Sequence, residues 1–251
     1  MKHHRSGAAV MMVVAATLGF APAHAHSETV TINMVDGLKF DPAVVAIATG
    51  DVVVWTNTSP LPHDTVSGDP DGPNPGELWS SGLLFEGDSF SRTFAAGETT
   101  DFFCSVHSTR MFGRVFVDGT GVQGTMIPAN TNITDQTITF DIWLVNFTGA
   151  SQSVNGRVKV KDPGGAVHAV LDKNGTLGPM ARLRVPVTIT LPGGAPVGDY
   201  TVRLELRDSG GVLRSSDEDI YRKLSLESEA PLSHVGIIGE GFDPSWQPRQ
   251  P

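Results

Sequence analysis

A second cysteine is missing. The 251 residues contain one, Cys104, so no internal disulfide can form. Four-Cys zinc sites, iron–sulfur clusters and dinuclear two-Cys copper centres are excluded with it. Positive charge is also scarce: 18 Lys and Arg stand against 27 Asp and Glu, a formal net charge of −9. Phosphate-backbone binding needs clustered Lys and Arg, so nucleic acid is not an expected partner. Beyond the first twenty residues no apolar run is long enough to span a bilayer. No amphipathic helical pattern is evident. What the chain has in quantity is punctuation, with 28 Gly and 17 Pro between short runs of alternating polar and apolar residues. That alternation predicts an all-β protein, and 39% apolar content is enough for a packed core.

The N-terminus carries an address. Lys2, His3, His4 and Arg5 precede an apolar stretch from Ala8 to Phe20, and Ala23-His24-Ala25 follows with small residues at the cleavage spacing. Residues 1–25 are expected to be a cleaved signal peptide, which makes the protein periplasmic or secreted. An exported chain with one unpaired thiol needs something to occupy that sulfur.

Strands are predicted at Val30–Met34, Val44–Ile47, Val52–Thr56, Phe90–Phe94, Asp101–Cys104 and Arg114–Val117. The Gly-rich stretch Asp118–Gly124 reads as a flexible break. Alternation then resumes at Ile138–Leu144, Val158–Val160, Val167–Leu171, Leu183–Leu191, Tyr200–Leu206 and Ile220–Leu226. The expected organisation is a first β domain over 26–120, an Ig-like β-sandwich over 121–228, and a Gly/Pro-rich tail over 229–251. The acid is unevenly shared. Between Lys39 and Arg92 lie eight acids and no base: Asp41, Asp51, Asp64, Asp69, Asp71, Glu77, Glu86 and Asp88. Composition alone favours a solvated face that keeps the protein soluble. The functional alternative is a surface that steers a basic partner.

The chemistry concentrates on one loop. Cys104-Ser105-Val106-His107 places a His three residues after the sole Cys, and Met111 follows four positions later, with His63 upstream. Thiolate, imidazole and thioether form a soft donor set that suits copper in both oxidation states and no hard cation. Zinc could use the Cys and two His but has little use for Met. A metal-bound thiolate would also answer the free-cysteine problem.

Further motifs fall in order around this loop. They are Phe40-Asp41-Pro42, Gly50-Asp51-Val52-Val53-Val54-Trp55-Thr56-Asn57, Leu61-Pro62-His63-Asp64-Thr65-Val66, Phe103-Cys104-Ser105-Val106-His107 and Met111-Phe112-Gly113-Arg114-Val115. Together they resemble the plastocyanin-type cupredoxins, over residues 28–118. The resemblance implies a Greek-key β-sandwich holding one type 1 copper per chain, with His63, Cys104, His107 and Met111 as metal ligands. It implies single-electron transfer to a redox protein partner, an apolar rim beside His107 formed by Leu61, Pro62 and Phe112, and no catalytic residues. Three residues separate His107 from Met111, where the family commonly has two or four, so Met111 is the least fixed ligand. Asp64 stands where the family commonly has Asn; a carboxylate there can accept backbone N–H bonds.

Two other functions use the same ligands. Copper carriage or delivery differs only in metal lability. A copper oxidase or nitrite reductase needs further His-rich centres, and only His26, His168 and His234 remain in the mature chain. The second domain has no Cys and no sign of its own cofactor.

Overall fold

The computed structural model describes residues 27–133 and 135–225. The expected signal peptide (1–25) and Gly/Pro-rich tail (229–251), with His26 and His234, lie outside the described residues. Among the described residues no helix is long and apolar enough to cross a membrane.

The first half builds two four-stranded sheets. One contains β1 (Thr29–Val35), β2 (Lys39–Asp41), β4 (Val52–Asn57) and β6 (Ser89–Thr93), in the order β2-β1-β4-β6. The other contains β3 (Val44–Ile47), β5 (Val66–Ser67), β7 (Thr100–Phe103) and β8 (Phe112–Val117), in the order β3-β8-β7-β5. Alternation sends Val53 and Trp55 of β4 inward, where they meet Ile32, Met34, Phe102 and Val115. Trp55 is fully buried and packs edge-on against Phe102 at 5.5 Å between ring centroids, an arrangement aromatic quadrupoles favour.

The second half is another β-sandwich, with eight strands among the described residues. β9 (Val122–Pro128), β11 (Thr137–Asn146) and β14 (Arg182–Thr190) form one sheet in the order β14-β11-β9. β10 (Asn132–Ile133), β12 (Gln152–Lys161), β13 (Val167–Leu177), β15 (Gly198–Asp208) and β16 (Leu213–Lys223) form the other, in the order β10-β16-β15-β12-β13. The core runs from Ile138, Phe140 and Val158 to Val202, Leu204 and Tyr221. Tyr200 donates its hydroxyl to Pro196 O at 2.8 Å, the bond that marks the tyrosine corner of Ig-like sandwiches.

One sequence expectation needs correction. The stretch expected to be a flexible break already enters β9 at Val122, and β9 pairs with β11 from Asn146↔Val122 to Phe140↔Pro128. Gly119, Gly121 and Gly124 read as a flexible break and hid the strand. Gly124 is there because a Cβ would lie 2.6 Å from Leu206 Cδ1 and 3.1 Å from Leu144 Cδ2.

The two sandwiches touch. Val44 and Phe116 of the first pack with Ile127 and Val145 of the second. Beside this apolar seam, Arg114 on β8 joins both halves. Its Nη1 donates to Thr125 Oγ1 at 2.8 Å and lies 3.2 Å from Asp217 Oδ1, while Nε lies 2.9 Å from Asp101 Oδ1. Asp219 follows on β16, and its buried Oδ2 has no hydrogen-bond partner among the described residues. Burial, then the charges of Asp217, Asp101 and Asp69, push the Asp219 carboxyl well above the usual carboxylate range, against the pull of Arg114. Burial likewise raises Asp101 to about 6, and the buried Tyr221 hydroxyl is pushed up as well.

A carboxyl raised on folding binds its proton more tightly in the native state. Its stabilising effect is full at acid pH and is lost as pH rises from the unfolded value through the folded one. The melting temperature is therefore expected to fall as pH rises from about 4 through about 6 and beyond. Asp219→Asn removes one buried charge, so it should flatten that fall and raise Tm at pH 8 by about 2–4 °C. Parallel pH profiles for the two proteins, measured by circular dichroism, would refute this account.

Candidate metal centre

The site begins where β4 ends. Asn57 Nδ2 donates to Leu61 O at 2.8 Å and Leu84 O at 2.9 Å, and its Oδ1 accepts Ser59 N–H at 2.9 Å. These bonds shape the turn that presents His63. A two-way backbone bridge to Leu84 (His63 N to Leu84 O, 3.1 Å; Leu84 N to His63 O, 2.7 Å) fixes the residue, which is fully buried. His63 Nε2 lies 3.1 Å from Ser59 Oγ. That contact turns the other nitrogen, Nδ1, toward the centre, and a hydrogen bond at one ring nitrogen settles which one is free for a metal.

Cys104 follows directly on β7 and is fully buried. A single 3-10 turn, Ser105–His107, then brings His107 back over it. Cys104 Sγ lies 3.7 Å from His63 Nδ1 and 3.6 Å from His107 Nδ1. The donor atoms of His63, Cys104 and His107 all lie within 4.8 Å of one another. Met111 closes the loop: its carbonyl accepts Cys104 N–H at 3.0 Å, its own N–H reaches His107 O at 3.1 Å, and its side chain is fully buried in the core cluster that holds Cys104.

The carboxylate of Asp64 braces the loop. Asp64 Oδ1 accepts Ser105 N–H at 2.6 Å, and Oδ2 accepts the Ser105 hydroxyl. Asp64 N–H points to Cys104 Sγ at 3.5 Å. Burial pushes the Cys104 thiol up to about 11, although the Asp64 N–H favours the thiolate. Burial and the neighbouring His107 hold His63 below its ordinary value, so it presents a neutral lone pair. A metal entering here displaces the thiol proton.

The geometry fits one ion. Metal–sulfur and metal–nitrogen bonds of about 2.3 and 2.0 Å place S and N about 3.6–3.8 Å apart when both bind the same first-row ion, which is the spacing found. The thiolate and two imidazoles, with a thioether on the same loop, select copper over hard cations.

Sequence reasoning missed Ser59, which carries no signal beyond standing four residues before His63. It also misplaced one rim residue. Phe112 packs in the seam between the sandwiches, because β8 turns it away from the ligand loop. Leu61 is half exposed, as expected. His168 lies in the second sandwich, half exposed and 3.1 Å from Asp162.

Residues 27–118 match the family described as copper binding proteins, plastocyanin/azurin family. Chloroplastic plastocyanin of Tetradesmus obliquus is 35% identical over 85 residues, covering 32% of this chain and 59% of that protein. The chain thus spans about three fifths of the curated relative it matches. Among solved structures, a purple cupredoxin from Nitrosopumilus maritimus is 28% identical over 36% of this chain and 99% of its own, with a TM-score of 0.32. A reduced amicyanin variant is 21% identical over 36% and 82%, with a TM-score of 0.31. The family match and the His63–Cys104–His107 cluster identify residues 27–118 as a cupredoxin-type, copper-binding domain, followed in this chain by a further β-sandwich.

Proposed function

We propose that the protein is an exported type 1 copper protein that passes single electrons between redox partners. His63, Cys104, His107 and Met111 would hold the copper. The observation that carries this reading is the convergence of the three donors inside a double-sheet frame. Bound copper supplies one-electron chemistry by alternating between Cu(I) and Cu(II).

The protein's part is to hold its donors still. His63 is fixed by Ser59 and the Leu84 bridge, Cys104 by Asp64 and the Met111 carbonyl, and His107 by its bond to Cys104 O at 3.0 Å. A ligand set that does not move between oxidation states needs little reorganisation. His107 is the partly exposed ligand, and it marks the electron exit. Leu83 and Phe85, either side of the Leu84 bridge, are exposed at 56% and 61%, and Leu61 and Val106 at about half. They offer an apolar docking surface for a redox protein, and Glu86 and Asp88, which follow Phe85 in the chain, favour a basic one.

Copper titration followed by visible and EPR spectroscopy tests the proposal, with metal counted per chain. One copper giving an intense visible band and narrow hyperfine splitting, bleached reversibly by reductant, is expected. A colourless complex with an ordinary broad spectrum would overturn the type 1 assignment.

A further inference from the structure

The second sandwich reaches the ligand loop itself. Thr131, between β9 and β10, donates its backbone N–H to Thr109 O at 2.9 Å. Thr109 is the middle residue of the three that separate His107 from Met111. From His107 to Met111 the other backbone bonds stay within the loop: His107 N to Cys104 O at 3.0 Å, Arg110 N to His107 O at 2.9 Å and Met111 N to His107 O at 3.1 Å. Thr109 O is the carbonyl that faces outward to the second domain.

The donor is itself held on three sides. Thr131 O accepts Arg222 N–H of β16 at 2.7 Å. Asn130 Oδ1 accepts Asn132 N–H at 3.0 Å. Ile133, two residues on, is 2% exposed in the second core. A line of backbone bonds therefore runs from β16 through the Thr131 peptide to the segment between two ligands. Arg114, three residues past Met111, grips Asp217 of the same strand. The ligand loop is tied to β16 at its tip and near its exit.

We infer that Thr131 is a positioning residue for the metal centre, and that the second sandwich sets the conformation of the His107–Met111 loop instead of merely following it in the chain. The loop has a length of its own and an external clamp to match. A peptide N–H fixed by a packed domain sets the height of Thr109, and with it the approach of Met111 to the thiolate. This rests on the type 1 reading for its consequence at copper, though not for the clamp.

Thr131→Pro removes the N–H donor, and Thr131→Ala keeps it. In the full-length, metal-free protein, the amides of Arg110 and Met111 should exchange with deuterium about tenfold faster in Thr131→Pro, the loss of one hydrogen bond. Amides of β4 and β15 should not change, and Thr131→Ala should match the parent. In the copper-loaded protein the reduction potential and the EPR hyperfine splitting should shift in Thr131→Pro alone. If Thr131→Pro does not fold, Asn130→Ala, which loosens the same turn, takes its place and should shift both readouts in the same direction. Unchanged exchange at Arg110 and Met111 would overturn the clamp. Faster exchange with an unmoved potential would overturn the positioning role. A parent protein lacking a type 1 spectrum would refute the function while leaving the exchange result to judge the clamp.

Discussion

Replacing Cys104 with Ser is expected to abolish the intense visible band while leaving the fold in place. The band requires a thiolate bound to Cu(II). A serine hydroxyl does not ionise at neutral pH, and its oxygen is a harder donor. Cys104 is fully buried at the end of β7, and Ser is close to it in size, so the core keeps its volume. The Asp64 N–H that now points at Sγ can point at Oγ instead, so no new donor is orphaned. The expected outcome is a cooperative melt near that of the parent, loss of colour, and copper affinity reduced by about a hundredfold or more. His63 and His107 remain close together, their ring centroids 4.9 Å apart. Residual copper should therefore give an ordinary broad EPR signal. A Cys104→Ser protein that stays intensely coloured would remove the thiolate from the centre.

Much of this site was legible because its residues are rare or patterned. A lone Cys, a His three positions later and a Met on the same loop stand out from a chain with eight His. The double-sheet frame was legible because β1 and β4 alternate cleanly, with Ile32, Met34, Val53 and Trp55 all inward. What stayed hidden was held by bonds without a side-chain signature. Ser59 looks like any loop serine until the turn places it 3.1 Å from His63. The Thr131–Thr109 bond is purely backbone and so leaves no trace in residue identity. β9 was lost because Gly119 and Gly124 serve close packing and Gly121 a positive-φ turn, while in sequence all three read as a flexible break. Asp64 lies between these cases. Its chemistry allowed acceptance of an N–H, and the fold supplied Ser105 as the donor.

Gly113→Ala should be among the most damaging single substitutions in the first sandwich. Gly113 on β8 sits directly opposite Phe102 of β7. A Cβ there would lie 2.2 Å from Phe102 Cζ and 2.6 Å from Ala43 O. Neither neighbour can yield. Phe102 is fully buried, with Phe40 edge-on at 4.7 Å and Trp55 at 5.5 Å behind it. Ala43 O is held in place by Arg114 N–H at 2.9 Å. Overpacking of this kind costs about 3 kcal/mol or more, which corresponds to a fall of about 10 °C in Tm for a chain of this size. The damage should also reach the metal, since Phe102 lies two residues before Cys104 and Gly113 two after Met111. A copper-loaded Gly113→Ala protein should lose metal faster and show a displaced visible band. Adding Phe102→Leu opens the space the methyl needs, so the double variant should melt above Gly113→Ala even though each change alone is destabilising. A Gly113→Ala protein that melts with the parent would mean that β7 and β8 do not approach as closely as this register requires.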